Sequence, residues 1–139
     1  MEYRVERAEL CDTAYGYLAP ALERDPFLGM PELAMQLRQG KGALFNIYHD
    51  QDHVASFTLA VNQLADGTEE VEITAGGGKT NGPDLTYVCV QFARQVAIDA
   101  GIDIVRTATR KAGVGRLLAR YGMELDEYIY RMRVNDEQQ

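Results

Sequence analysis

The sequence predicts an α/β (α+β) domain with a mixed, mostly antiparallel central sheet and about four flanking helices. Three observations lead to this prediction. The 139-residue length suits one hydrophobic core. Short runs with alternating apolar residues are typical of half-buried strands, and longer runs with apolar residues three and four apart are typical of helices. We expect residues 1–134 to form a single domain and residues 135–139 a polar tail.

The first third of the chain predicts one strand and two helices. Met1, Tyr3 and Val5 alternate with charged residues, as in a strand with one buried face. Apolar residues from Glu9 to Glu23 repeat at helical spacing, and Asp25-Pro26 follows as a stop signal. Pro31 to Gln39 predicts a second, shorter helix, because Pro31 suits a first turn and a glycine follows the run.

The middle of the chain predicts three antiparallel strands. Leu44 to His49 and Val54 to Val61 are strand-like runs on either side of a polar turn, which predicts a hairpin. In the next run Val71 and Ile73 alternate with polar residues, and the run leads into three consecutive glycines. An antiparallel meander is the expected arrangement.

The last part of the chain predicts a glycine loop followed by alternating helices and strands. Gly76 to Gly82 is expected to be a flexible loop, and a helix is expected from Pro83 to Gly101. Ile102 to Ala108 predicts a short strand and Lys111 to Tyr121 a helix. Apolar residues alternate from Tyr128 to Val134, which predicts a final strand.

Composition argues against several classes of protein. No apolar run approaches the roughly 20 residues of a membrane helix, and the first residues lack a signal peptide, so we expect a cytoplasmic protein without membrane association. A net charge of −7 repels phosphate backbones, so we expect no nucleic-acid partner. The cysteines Cys11 and Cys89 lie in apolar helical patterns and are expected to be buried. With only His49 and His53 beside them, we expect no metal site.

Two local motifs accompany this order of elements. The run Ala100-Gly101-Ile102-Asp103-Ile104-Val105 joins the long helix to the next strand, and Arg116-Leu117-Leu118-Ala119-Arg120-Tyr121-Gly122-Met123 closes the later helix. Order and motifs together resemble the GNAT acyltransferase superfamily over nearly the whole chain. The resemblance implies a GNAT-like fold and transfer of an acyl group from acetyl-CoA to a small amine or a protein amine.

The resemblance also implies a cofactor site. In the family, the pantetheine arm pairs with backbone of the fourth strand and the pyrophosphate is held by the loop before the central helix, where free N–H groups and the helix dipole favour an anion. The family's phosphate motif is matched in part by Lys79-Thr80-Asn81-Gly82-Pro83-Asp84, although Asp84 places a carboxylate where it would repel a diphosphate. The implied cofactor-binding residues are Thr74, Ala75, Gly77, Gly78, Lys79, Asn81 and Gly82.

Candidate catalytic residues follow from the same resemblance. Glu70 and Glu72 share one face of the fourth strand and could take a proton from the attacking amine, or they could be ordinary solvent-facing carboxylates. Leu118 stands where many family members have a proton-donating tyrosine. Tyr121, Tyr128 or Tyr130 could supply the acid instead, with core packing as the alternative. The amine would enter between the first two helices, near residues 27–31.

Two functions remain open at this point. The first is a divergent N-acetyltransferase in which the amine attacks acetyl-CoA directly, favoured by the glycine run and Lys79. The alternative is a catalytically silent GNAT-fold module that binds another protein. A phage-encoded form of this module would be virion-associated or host-targeting. Asp84 and Leu118 favour this alternative.

Overall fold

The computed structural model describes residues 3–25, 28–79 and 83–134. The strands are β1 (Arg4–Ala8), β2 (Gly42–His49), β3 (Asp52–Gln63), β4 (Glu69–Gly78) and β5 (Val105–Thr107). The helices are α1 (Asp12–Glu23), α2 (Met30–Arg38), α3 (Pro83–Ala100) and α4 (Ala112–Arg120). The domain boundaries stay a prediction, because residues 135–139 lie outside this part of the chain.

The five strands form one sheet in chain order, from β1 at one edge to β5 at the other. The first three pairings are antiparallel, and β4 and β5 are parallel. The parallel pair needs a long crossover connection, which α3 provides. The mixed, mostly antiparallel sheet with four helices is therefore confirmed.

Each face of the sheet carries its own hydrophobic core. On one face, Ala14, Leu18 and Leu22 recur at four-residue spacing along α1 and pack with Leu33 of α2 over the sheet. On the other face, the fully buried Phe57 of β3 belongs to the cluster that α3 covers. The two helical stripes predicted from spacing are thus the surfaces that hold the helices to the sheet.

Glycines end α3 and α4 where the sequence predicts. Gly101 follows α3 with a φ of 71°, and Gly122 follows α4 with a φ of 96°, a left-handed conformation that glycine adopts without strain. The residue after each glycine donates its backbone N–H to a carbonyl in the last turn of the helix. Ile102 N–H donates to Ala97 O at 2.8 Å, and Met123 N–H donates to Leu118 O at 3.0 Å.

Two predictions about the glycine loop and the last strand are wrong. Gly76, Gly77 and Gly78 belong to β4 and pair with β3, so they are not part of a flexible loop. The stretch from Tyr128 to Val134 forms no strand, because β5 has only three residues along its outer edge. The side chains of Tyr128 and Tyr130 are highly exposed, so core packing is wrong for both.

The two cysteines differ in their surroundings. Cys11 is exposed, immediately before α1, and its predicted burial is wrong. Cys89 packs against the core under α3, where burial raises the pKa of its thiol to about 12. Both thiols are free. Within residues 3–25, 28–79 and 83–134, no helix is long and apolar enough to cross a membrane.

Candidate functional site

The two halves of β4 have different neighbours on the side of β5. Val71, Glu72 and Ile73 pair with β5, while β4 continues to pair with β3 as far as Gly78. Thr107 at the end of β5 donates its hydroxyl to Ile73 O at 3.0 Å. From Thr74 onwards, no described strand therefore pairs with the outer edge of β4, and this edge has backbone donors and acceptors available for a ligand.

A β-bulge marks the point where this open edge begins. Leu59 pairs with Ile73 and Thr58 with Ala75, so Thr74 is the extra residue on β4. The side chain of Thr74 is fixed, because its hydroxyl lies 2.5 Å from the hydroxyl of the fully buried Thr58. After the bulge, Ala75 packs in the core beneath α1. The bulge at Thr74 thus changes which side chains of β4 face α1, and it follows Ile73, the last residue of β4 that pairs with β5.

Close packing explains two of the glycines assigned to the cofactor. A Cβ on Gly77 would lie 2.0 Å from the carbonyl oxygen of Tyr17 in α1. A Cβ on Gly78 would lie 2.6 Å from Val54 O. Both positions therefore require glycine for contact with α1 and β3 whether or not a ligand binds.

Lys79 lies directly after β4 and near the start of α3. Its N–H donates to Val54 O at 2.8 Å, which fixes its backbone against β3. Its side chain and Leu85 of α3 line a hollow of about 170 Å³ with Tyr3, His49 and Val54. Asp84 is exposed in the first turn of α3. Asn81 and Gly82, the other predicted phosphate ligands, lie outside the described residues.

Glu70 and Glu72 lie on one face of β4, as predicted, and share two polar neighbours. Asn62 Nδ2 donates to Glu72 Oε1 at 2.7 Å and to Glu70 Oε1 at 3.3 Å. Arg106 Nη1 donates to Glu72 Oε2 at 3.4 Å, and Arg106 Nε lies 3.9 Å from Glu70 Oε1. The side chain of Glu70 is only 11% exposed, so the expectation of solvent-facing carboxylates is wrong for this residue.

Arg106 joins these glutamates to the segment after α4. Its Nη2 donates to Glu127 Oε1 at 2.7 Å, and its pKa is raised, chiefly by this hydrogen bond. Three carboxylates around one guanidinium leave an excess of negative charge, which favours a cationic group. Local sequence patterns did not indicate that Arg106 and Asn62 would lie beside these glutamates. Register would have identified them, since Glu72 pairs with Arg106 and Glu70 with Asn62.

The tyrosines considered as acids do not share one environment. Tyr121 follows α4 and contacts Tyr87 of α3 edge-on, with ring centroids 5.1 Å apart. Tyr128 is 73% exposed, and Leu118 is partly buried in α4. The structure thus brings Glu70 and Glu72 together, and among the described residues no hydrogen bond joins Tyr128 to either glutamate.

A buried polar chain under α1 was also missed. His53 Nε2 lies 2.8 Å from Ser56 Oγ, which donates to Asn46 Oδ1 at 2.9 Å. The hydroxyl of Tyr17 donates to His53 O at 2.8 Å and ties α1 to the start of β3. Burial lowers the pKa of His53 from its usual value, and the charge of Lys79 contributes. Ser56 sits in an alternating strand, so its burial depends on α1 rather than on any local signal.

No group of three or more metal-ligating side chains occurs in the part of the chain that is described. The expected entrance for the amine, near residues 27–31, lies partly outside that part. Leu28 and Met30, at its inner end, pack against the core formed by α1 and α2.

Solved structures with this arrangement exist, although sequence comparisons find nothing. No family model matches the chain, and no curated protein matches it. A probable acetyltransferase is similar over 98% of this chain and 99% of its own, with a TM-score of 0.71 and 15% identity. A predicted acetyltransferase from Clostridium acetobutylicum, solved with acetyl-CoA, covers 96% of this chain and 97% of its own, with a TM-score of 0.68 and 12% identity.

A third solved structure carries a different name. A transcriptional regulator from Bacillus halodurans covers 95% of this chain and 99% of its own, with a TM-score of 0.69 and 12% identity. At such low identity the likeness concerns the fold and not the activity. The strand order, the crossover by α3 and the match along nearly the full length of these proteins agree: this chain has a GNAT-like fold, in a divergent sequence.

Proposed function

We propose that this protein is a divergent N-acetyltransferase that transfers an acetyl group from acetyl-CoA to an amine. The observation that carries the proposal is the open edge of β4 from Thr74 to Gly78, next to a β-bulge. An extended amide-containing chain such as pantetheine can pair with such an edge as an added strand does. The solved relative of the same fold with acetyl-CoA supports this choice of ligand.

The residues around the edge fit the remaining parts of acetyl-CoA. Backbone groups of Thr74 and Ala75 would hold the pantetheine arm, and Lys79 would offer positive charge to the pyrophosphate at the start of α3. Asn81, Gly82, Gly77 and Gly78 remain predicted phosphate ligands. The exposure of Asp84 leaves its carboxylate free to turn into solvent, which lowers its repulsion of the phosphates.

The amine would be received on the side of Glu70 and Glu72. In the reaction, the amine nitrogen attacks the thioester carbonyl, the C–N bond forms, the C–S bond breaks, and CoA leaves as a thiolate. Glu72, or Glu70, would accept the proton that the amine loses. The excess of carboxylates around Arg106 favours a cationic amine, either a small molecule or a protein side chain or terminus. Tyr128 is a candidate acid that would protonate the departing thiolate. We also propose that the protein is located in the cytoplasm.

Titration calorimetry with acetyl-CoA tests the cofactor site. We expect binding by the wild-type protein and strong weakening by Lys79→Glu, which reverses the charge beside the phosphates. Lys41→Glu is the matched control, because Lys41 precedes β2 at the opposite end of the strands and should not affect binding. No heat with millimolar acetyl-CoA, or equal weakening by both variants, contradicts the proposal.

Leu118 favours the second candidate, a catalytically silent GNAT-fold module, such as a phage could encode, that binds another protein. The regulator from Bacillus halodurans has the same fold. The Leu118→Tyr variant separates the two candidates, with Leu117→Tyr as control, since both leucines are partly buried in α4. An acetyltransferase lacking its acid should gain amine acetylation from Leu118→Tyr alone. Binding of acetyl-CoA without acetylation in any variant favours the silent module.

A further inference from the structure

The segment after α4 carries an apolar surface that the described residues leave uncovered. Six large apolar side chains between residues 125 and 134 are 67–88% exposed: Leu125, Tyr128, Ile129, Tyr130, Met132 and Val134. Exposed apolar side chains this concentrated usually mark a contact with another molecule. We call residues 124–134 the C-terminal segment.

The chain's own sheet is too short to pair with this segment. β5 is the edge strand and has only the three residues Val105–Thr107. Glu127 of the C-terminal segment nevertheless lies at that edge, because it accepts a hydrogen bond from Arg106 of β5. Its alternating sequence is suited to a strand, but β5 is long enough to pair with only a few of its residues.

The charges of the C-terminal segment identify the partner. Its first half carries Glu124, Asp126 and Glu127, and its second half carries Arg131 and Arg133. A second copy running antiparallel places the acidic half of each segment opposite the basic half of the other, whereas a parallel copy places like charges together. The segment is therefore complementary to itself in one orientation.

We propose that two copies of this chain dimerise by antiparallel pairing of their C-terminal segments about a twofold axis at Ile129. In this register Glu127 faces Arg131 and Tyr128 faces Tyr130, twice over by symmetry. Both hydrogen bonds from Arg106 end on Glu127 Oε1, so Oε2 can accept from Arg131 of the second copy. Pairing joins the backbones of the two segments, and the tyrosines of one copy cover those of the other.

Cysteine crosslinking tests the register. Residues facing each other in an antiparallel pair have Cα atoms about 4.5–5.5 Å apart, which a disulfide can span, and Ile129 faces its own symmetry mate. In a Cys11→Ser background, Ile129→Cys should give a disulfide-linked dimer under mild oxidation, since Cys89 packs against the core and the raised pKa of its thiol, about 12, disfavours the reactive thiolate. Asp126→Cys is the control, because its two copies would be about 20 Å apart and should stay monomeric on a non-reducing gel.

Sedimentation equilibrium tests the charge complementarity. Glu127→Arg or Arg131→Glu alone places like charges opposite each other and should weaken dimerisation by about tenfold or more. Mixing the two variants should restore dimers, because each then meets an opposite charge. A wild-type protein that stays monomeric at every concentration overturns the proposal. So do equal crosslinking at positions 126 and 129 and a mixture that fails to associate. None of these measurements depends on acetyl-CoA binding.

Discussion

The two halves of β4 differ in their neighbouring strands and in the contacts they make. The first half, Glu69 to Ile73, has a strand on both sides from Val71 onwards and carries two glutamates held by Asn62 and Arg106. The second half, Thr74 to Gly78, pairs with β3 alone and consists of small residues under α1. Hydrogen bonds between polar side chains thus distinguish the first half, and close packing of the backbone distinguishes the second. Substitutions should affect the two halves differently.

The largest effect is expected in the second half, from Gly77→Ala. Its Cβ would lie 2.0 Å from Tyr17 O, and a helix backbone cannot retreat without disturbing the core beneath α1. We expect a loss of about 3 kcal/mol or more in the free energy of unfolding, measured with urea.

The neighbouring glycine is the matched control for this prediction. A Cβ on Gly76 would meet Phe57 Cβ at 3.5 Å, which is ordinary contact. Gly76→Ala should therefore change stability by no more than about 0.5 kcal/mol. Equal losses from Gly76→Ala and Gly77→Ala would show that the approach of α1 to β4 is not the cause.

A smaller effect is expected in the first half, from Arg106→Met. Removing the guanidinium takes away the cation that lies near both the nearly buried Glu70 and Glu72. The two carboxylates lie on the same face of β4, so their mutual repulsion is then less compensated. Because Arg106 is 34% exposed and water can partly replace it, we expect a loss of only about 1–2 kcal/mol in the free energy of unfolding.

Arg106→Lys is the control for the charge itself. It keeps a cation near Glu72 but cannot reach Glu127 with the same fork, so it should lose less stability than Arg106→Met. If Arg106→Met is as stable as the wild type, the glutamates do not depend on Arg106, and the contrast between the halves of β4 fails.

Local pattern was sufficient to predict most elements of the fold. The four-residue spacing of Ala14, Leu18 and Leu22 identifies α1, and Gly101 marks the end of α3. Local pattern could not predict contacts between residues that are distant in the sequence. Nothing near Gly77 in the sequence indicates that Tyr17 will lie against it, and the contact between Arg106 and Glu72 joins residues 34 apart.

The alternation after Tyr128 shows the limit of such patterns. It describes a segment able to form a strand, but a strand exists only where another strand offers its edge. Within this chain β5 offers three residues, so the pattern predicted a strand that the structure lacks. Likewise, Glu70 and Glu72 were correctly placed on one face by alternation, while their partners depended on strand register.

The smallest expected effect concerns pH and the buried chain beside the second half of β4. The pKa of His53 is lowered in the folded protein, chiefly by burial, so the unfolded chain binds a proton more readily. The stability from neutral His53 is present above the unfolded pKa of about 6.5 and is lost as the pH falls toward the folded value. Urea unfolding between pH 7.5 and about pH 5 should show this loss. His53→Gln should flatten the dependence, and the same substitution at His49 should not. If both variants follow the wild-type curve, the acid sensitivity arises elsewhere and the chain from His53 to Asn46 is not its source.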